Sequence, residues 1–286
     1  MIAPAFGVLF DGFAYGMLLF LLSVGLSVTL GMMNFVNLAH GSFAMLGAYV
    51  TVTLMGLGWP FVATLPCAFV VAAAVSVAFE RALFRRLYRA RELQQVLLTL
   101  GVVFVSVAAA AWFYGTVQQP VRLPAYLRRS VTMPGVNFSI YRLFLIAVAL
   151  VITVLLVAAL DRTRFGARVR AAVDNQRMAQ GLGIDVDSVF AITFALGSGL
   201  AGLGGALAIE IVGLDPNFAF TYLIYVLIVV AVGGLGSIRG SLLAAIVLGV
   251  SDAAGKYYVP TLGAFLIYLV MVSLLLWRPG GLFGRR

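Results

Sequence analysis

Apolar residues run in nearly unbroken stretches separated by short polar breaks, near positions 10 to 30, 34 to 57, 60 to 79, 94 to 114, 142 to 160, 188 to 211, 219 to 236, 240 to 257 and 261 to 277. Most approach the roughly 20 residues that a helix needs to cross the hydrocarbon core of a bilayer. Barrel strands would instead alternate apolar and polar positions over about 10 residues, so the pattern predicts helices. The second stretch opens with polar residues and the seventh is short and broken by glycine. The expectation is an all-α polytopic membrane protein, one transmembrane domain over 1 to 286, with about eight or nine transmembrane helices and an interrupted helix near 34 to 42. The first stretch lacks the basic flank of a signal peptide and is expected to remain as a helix.

Composition narrows the class. Hydrophobic residues make up 63% of the chain and charged ones 10%, with a mean hydropathy of +1.10; a soluble domain carries roughly a quarter of its residues charged. The net charge of +9 would suit nucleic acid if it were spread over a soluble face. Here the basic residues sit in loops between apolar runs, where they orient membrane segments, and no nucleic-acid partner is expected. One cysteine, Cys67, and one histidine exclude an intrachain disulfide and a His/Cys metal cluster, so no metal or other cofactor is expected on this chain.

Basic residues also predict sidedness, because cytoplasmic loops hold an excess of Lys and Arg. Arg81, Arg85, Arg86, Arg89 and Arg91 cluster in one loop, and Arg162, Arg164, Arg168, Arg170 and Arg177 in another. Nine crossings add Arg239, Arg278, Arg285 and Arg286 to that side, for fourteen in all, against Arg122, Arg128, Arg129 and Lys256 opposite, with Arg142 at a span edge. The N-terminus is therefore expected outside and the C-terminus inside a bacterial-type plasma membrane. Trp59, Trp112 and Trp277 fall at predicted span ends, which suits indoles at the interface.

Polar groups inside this apolar chain are the candidates for chemistry. Asn34, Asn37, His40, Gly41 and Ser42 lie in one patch between apolar runs. Such a patch either turns at the surface with Asn and His as caps, or lines a protected pathway where a helix is interrupted. A second break, from Gly233 to Ser241, also ends in Gly-Ser, and paired interruptions in two halves point to a transport pathway. Asp252 and Lys256 are spaced for an i,i+4 pair, Asp11 suits the positive end of the first helix, and Glu210 closes the sixth span. There is no carboxylate ladder of the kind a proton-driven carrier needs. Nucleotide motifs are near misses: Gly255-Lys256 lacks both the first glycine and the Ser/Thr of a P-loop, and the G-x-G-x-x-G at Gly197 to Gly202 lies inside an apolar helix. Gly197, Ala201, Gly202 and Gly205 instead form a small-residue face for close helix packing.

Residues 161 to 187 form the longest inner loop, and 170 to 184 within it reads as a short amphipathic helix stopped by Gly181 and Gly183. An interfacial helix on lipid headgroups has the same appearance. Four blocks, GLSVTLGMMNFVNLAHGSFAMLGAY, RAAVDNQRMAQGLGID, GGLGSIRGSLLAAIVLG and RPGGLFGRR, follow one another along the chain. With them the sequence resembles the membrane permease subunits of branched-chain amino acid ABC transporters, the high-affinity leucine, isoleucine and valine importers. The resemblance implies a non-enzymatic permease domain working with a second related permease, two cytoplasmic ATPases that bind ATP and Mg, and an extracytoplasmic substrate-binding protein. It also implies that 161 to 187 is an ATPase-coupling loop, with Arg170, Ala171, Ala172, Asp174, Arg177, Met178, Ala179, Leu182, Gly183 and Ile184 at the contact. Relatives linked to urea, amides and aromatic acids leave the cargo open. A secondary amino-acid carrier or a channel working without an ATPase is the rival expectation.

Overall fold

The computed structural model describes every residue except Met1, Asn34, Val36, Arg89, Arg122, Pro134, Gly135, Arg285 and Arg286. Of the residues singled out above, Asn34, Arg89, Arg122, Arg285 and Arg286 thus lie outside the described residues. Each of the nine apolar stretches becomes a helix: α1 Ile2–Met33, α2 His40–Gly56, α3 Phe61–Ala82, α4 Glu92–Tyr114, α5 Ile140–Arg162, and, after α6 Arg164–Asp174 and α7 Gln176–Gly181, α8 Val186–Val212, α9 Phe218–Gly233, α10 Ile238–Tyr258 and α11 Gly263–Trp277. Among the described residues, 6 of these (α1, α3, α4, α5, α8 and α10) are long and apolar enough to cross a membrane, while α9 and α11 are shorter apolar helices. The fold is that of an all-α polytopic membrane protein.

Two departures from expectation lie at one end of the bundle. A hairpin of β1 Ser130–Met133 and β2 Val136–Ser139 pairs antiparallel in the predicted outer stretch, where no sequence period announced strands. Helix α1 begins at Ile2 and not near position 10. Asp11 is therefore inside the helix and not at its positive end, and it forms an ion pair with Arg142 at the start of α5.

The packing is arranged around α1 and α8, whose apolar windows are 83% buried, whereas that of α5 is 11% buried. These two helices cross antiparallel, since Gly25 meets Gly197 while Gly204 meets Leu22. A Cβ at Gly25 would stand 2.0 Å from the Gly197 carbonyl oxygen, so only glycine lets the backbones touch, which is how small residues drive helix association in lipid. Along α1 lies α10, antiparallel, with Gly12 at Val250, Ser27 hydrogen-bonded to Ser241 at 2.9 Å and Gly31 at Gly236. Along α8 lies α3, with Gly199 at Phe69 and Gly202 at Ala68 and Ala72. Gly202 and Gly205 also receive α2 at Gly47 and Ala44, and Ala201 is fully buried.

This arrangement is an inverted repeat. The long α1 with the short α2 and then α3 corresponds to the long α8 with the short α9 and then α10, run in the opposite direction. Each long helix packs chiefly on the third helix of the other half. Gly41 and Ala219, each the second residue of its short helix, meet directly. The break 34 to 42 is thus related to the α8–α9 turn at 213 to 217, not to 233 to 241 as the shared Gly-Ser suggested. The repeat fails at its fourth helix, because α11 packs on α10 whereas α4 lies on α2 and α9.

Candidate functional site

The α1–α2 junction is built by a chain reversal inside the bundle. Phe35 is fully buried, its ring 5.7 Å from that of Phe84 and 5.5 Å from that of Tyr88. Asn37 and His40 are each 1% exposed. His40 Nε2 lies 2.8 Å from the carbonyl oxygen of Leu22, so α2 starts about three helical turns back from the end of α1 at Met33 and not beside its terminus.

A carbonyl only accepts, so Nε2 carries the proton and Nδ1 is left as an acceptor. Among the described residues Nδ1 has no donor, neither side-chain atom of Asn37 has a partner, and the Ser42 hydroxyl has none. Each such orphan costs about 1–3 kcal/mol unless water or a solute reaches it, so an unsatisfied buried group in a folded protein calls for an explanation. Ser42 and the Tyr49 hydroxyl, likewise unpartnered among the described residues, line a cavity of about 290 Å³ between α2, α3 and α4, whose other walls include Phe79 and Val102. Gly41 is the one predicted residue here with a purely steric role: a Cβ on it would stand 2.4 Å from the Ala219 carbonyl oxygen. Tyr49 lies outside the polar patch seen in the sequence, because a hydroxyl in an apolar helix gives no signal until its neighbours are known.

At one end of the bundle the basic loops come together. Arg85 pairs with Asp187, and Arg239 lies 4.0 Å from Asp161. The C-terminal segment joins them through Leu282 N–H donating to the Val232 carbonyl at 2.8 Å. Arg142, Lys256 and the hairpin are at the other end.

The segment 161 to 187 is two helices, not one. Thr163 caps α6 by accepting from Gly166 N–H at 3.1 Å. At Asn175 the backbone turns extended (φ −154°), and its side chain accepts from Met178 N–H at 3.0 Å to start α7. The expected continuous helix over 170 to 184 is broken because asparagine offers this local bond in place of the helical one. After α7, Gly183 has φ +80°. Its N–H donates to the Gln180 carbonyl and that of Ile184 to the Ala179 carbonyl, both at 3.0 Å, a Schellman stop that favours glycine. Asp185 then caps α8 through Ser188, and the two hydrogen bonds from Ser188 hold its carboxyl below the usual range.

The coupling candidates divide into two sets. Ala172 and Ala179 are 2% exposed and turned into the chain's own bundle, with Ala171 half-buried. Met178 is 65% and Leu182 79% exposed, on a projection that also carries Asp174 and Arg177. Arg170 is tied back to the Leu160 carbonyl, and Ile184 is half-buried.

The interrupted helix expected near 34 to 42 is thus a chain reversal between two helices, and a multi-pass helical bundle with a buried polar reversal at its centre and exposed Met178 and Leu182 beyond its basic end has the make-up of a membrane transport subunit. Residues 8–275 match the model of the family described as branched-chain amino acid transport system / permease component, and the chain belongs to that family. It is 28% identical over 293 residues to the high-affinity branched-chain amino acid transport system permease protein LivH of Escherichia coli, covering 97% of this chain and 94% of the relative. The probable branched-chain amino acid transport permease protein LivH of Methanocaldococcus jannaschii is 29% identical over 286 residues, covering 94% and 90%. The high-affinity branched-chain amino acid transport system permease protein LivM of Salmonella typhimurium is 27% identical over 296 residues, covering 93% of this chain and 68% of the relative. No solved structure matches.

Proposed function

We propose that this chain is the permease subunit of an ATP-binding cassette importer that moves branched-chain amino acids, or related small polar organic solutes, delivered by a substrate-binding protein. The observation that carries the reading is the exposed Met178 and Leu182 on a rigidly capped projection, in a chain whose relatives are permease proteins for branched-chain amino acids. Adjacent exposed apolar side chains on a polar end suit an interaction surface, and in this reading one of two cytoplasmic ATPases holding ATP and Mg covers them. Resemblance to both LivH and LivM supports pairing with a second, related permease. The basic end is cytoplasmic, with the N-terminus outside, as the fourteen-to-four split favours.

In this reading Asn37, His40 and Gly41 border the translocation pathway, and their unpaired polar atoms greet a polar solute that crosses an otherwise apolar core. Energy from the ATPases reaches that junction through a stiff contact, since coupling needs an element with two arrangements that both sites bias. Met178→Asp together with Leu182→Asp is expected to leave the permease in the membrane and abolish ATPase co-purification. Leucine uptake into vesicles that requires ATP and the binding protein in wild type is lost with it. Uptake driven by an ion gradient with no ATPase present would reject the importer reading in favour of a secondary carrier.

A further inference from the structure

Opposite the basic end, a cavity of about 530 Å³ opens between α1, α5, α8, α9 and α10. Its floor is Asp252, whose side chain is 5% exposed and whose ionic partner among the described residues is Lys256, at 2.6 Å. The Lys256 ammonium also sits 5.5 Å from the centre of the Tyr15 ring. The cavity therefore already holds a primary ammonium seated on a buried carboxylate and against an aromatic face, the two interactions by which proteins recognise alkylammonium groups. Yet the lysine side chain is 58% exposed on a long flexible stem and is free to leave. Arg142, paired with Asp11, lines the same space and presents a guanidinium suited to a carboxylate. Val8, Ile211 and Val212 make part of the wall apolar.

We propose that this cavity is a receiving site for a zwitterionic α-amino acid with an aliphatic side chain, an inference that rests on the importer reading. The incoming ammonium replaces Lys256 on Asp252 and Tyr15. The released Lys256, with Arg142, takes the incoming carboxylate, and the aliphatic part lies on Val8, Ile211 and Val212. The exchange keeps the cavity neutral throughout, so Asp252 is at no stage buried without a cation, which would be costly. A phospholipid headgroup with an ammonium and a phosphate shares this chemistry, and the experiment separates the two sources.

The assembled transporter, without binding protein, is placed in nanodiscs of phosphatidylglycerol, and binding of radiolabelled leucine is measured with and without added phosphatidylethanolamine. Saturable leucine binding is expected. Isocaproate, which lacks the ammonium, and isoamylamine, which lacks the carboxylate, should compete about tenfold or more weakly. Asp252→Asn and Arg142→Gln should each weaken leucine about tenfold, while Asp252→Glu retains it; co-purification of the complex reports folding for every variant. Unchanged leucine affinity in Asp252→Asn and Arg142→Gln, or equal competition by the two half-molecules, overturns the site. Retention of phosphatidylethanolamine in place of leucine assigns the cavity to lipid and overturns it too. Uptake with ATP and binding protein is followed in the same preparations. Failure of wild-type uptake brings down the importer reading, whereas normal uptake with unaltered binding in the variants brings down this site alone.

Discussion

The two junctions that open the short helices of the inverted repeat solve one geometric problem with opposite chemistry. Between α8 and α9 the turn is locally satisfied: Asp215 accepts from Asn217 N–H at 2.7 Å, and the Asp215 carbonyl accepts from Phe218 N–H at 3.1 Å. Between α1 and α2 the related turn buries Asn37 and His40 and leaves Asn37 and His40 Nδ1 without partners among the described residues. One half of the repeat has thus kept a plain turn while the other carries polar groups at a stability cost. A cost borne on one side of a repeat only is what a functional site looks like, since the turn itself can be made without it.

The largest effect should come from the point where the junctions touch. Gly41→Leu would put a side chain where even a Cβ is 2.4 Å from the backbone of Ala219. Overpacking of this kind costs about 1–3 kcal/mol when side chains can yield, and backbone yields less. The expected result is little or no folded protein in detergent extracts, while Ala219→Gly is recovered near wild-type level. Folded Gly41→Leu with an unchanged melting temperature would mean that the two short helices do not meet, and the comparison between them would lose its basis.

Next come the orphaned groups, where the two accounts of the polar patch predict opposite signs. If Asn37 and His40 serve as caps, replacing them destabilises. If they are kept for transport, Asn37→Leu removes an unsatisfied amide and is expected to stabilise the bundle by about 1 kcal/mol while leucine uptake falls. His40→Leu gives up the 2.8 Å bond to Leu22, so its stability changes little and its uptake falls. Thermal melting beside vesicle uptake decides the matter, and a destabilised Asn37→Leu with normal uptake would restore the capping account.

The contrast between the halves was only partly legible in the sequence. Nine apolar stretches gave nine helices because run length in lipid leaves few alternatives, and the polar patch at 34 to 42 was visible because amides are rare in such runs. Which break corresponds to which was not visible. Gly-Ser recurs at Gly41-Ser42 and Gly240-Ser241, but the repeat relates Gly41 to Ala219, and its evidence is helix length and direction. The break at Asn175 is not legible in the sequence because Ala171, Ala172 and Ala179 carry high helix propensity, while one side-chain bond from Met178 N–H decides the local outcome. The Asp11–Arg142 pair and the cavity around Asp252 join residues far apart in the chain, which no local spacing announces.

The smallest effect belongs to the satisfied junction, and it sharpens the contrast most. Asp215→Ala removes one acceptor for Asn217 N–H from a turn that keeps its remaining backbone bonds. Losing a cap of this kind costs about 1 kcal/mol, partly recovered because Asn217 is exposed and water can replace the carboxylate. The melting temperature should drop slightly and leucine uptake should stay at the wild-type level at saturating binding protein. Asp215 is chemically the most polar residue of its junction, so if charge near a short-helix start were enough for function, this variant would be impaired as strongly as His40→Leu. Equal impairment would show that both junctions serve transport, and the unpaired atoms of Asn37 and His40 would no longer distinguish one half from the other. A small stability change with intact uptake leaves function with the half whose polar groups have no partner among the described residues.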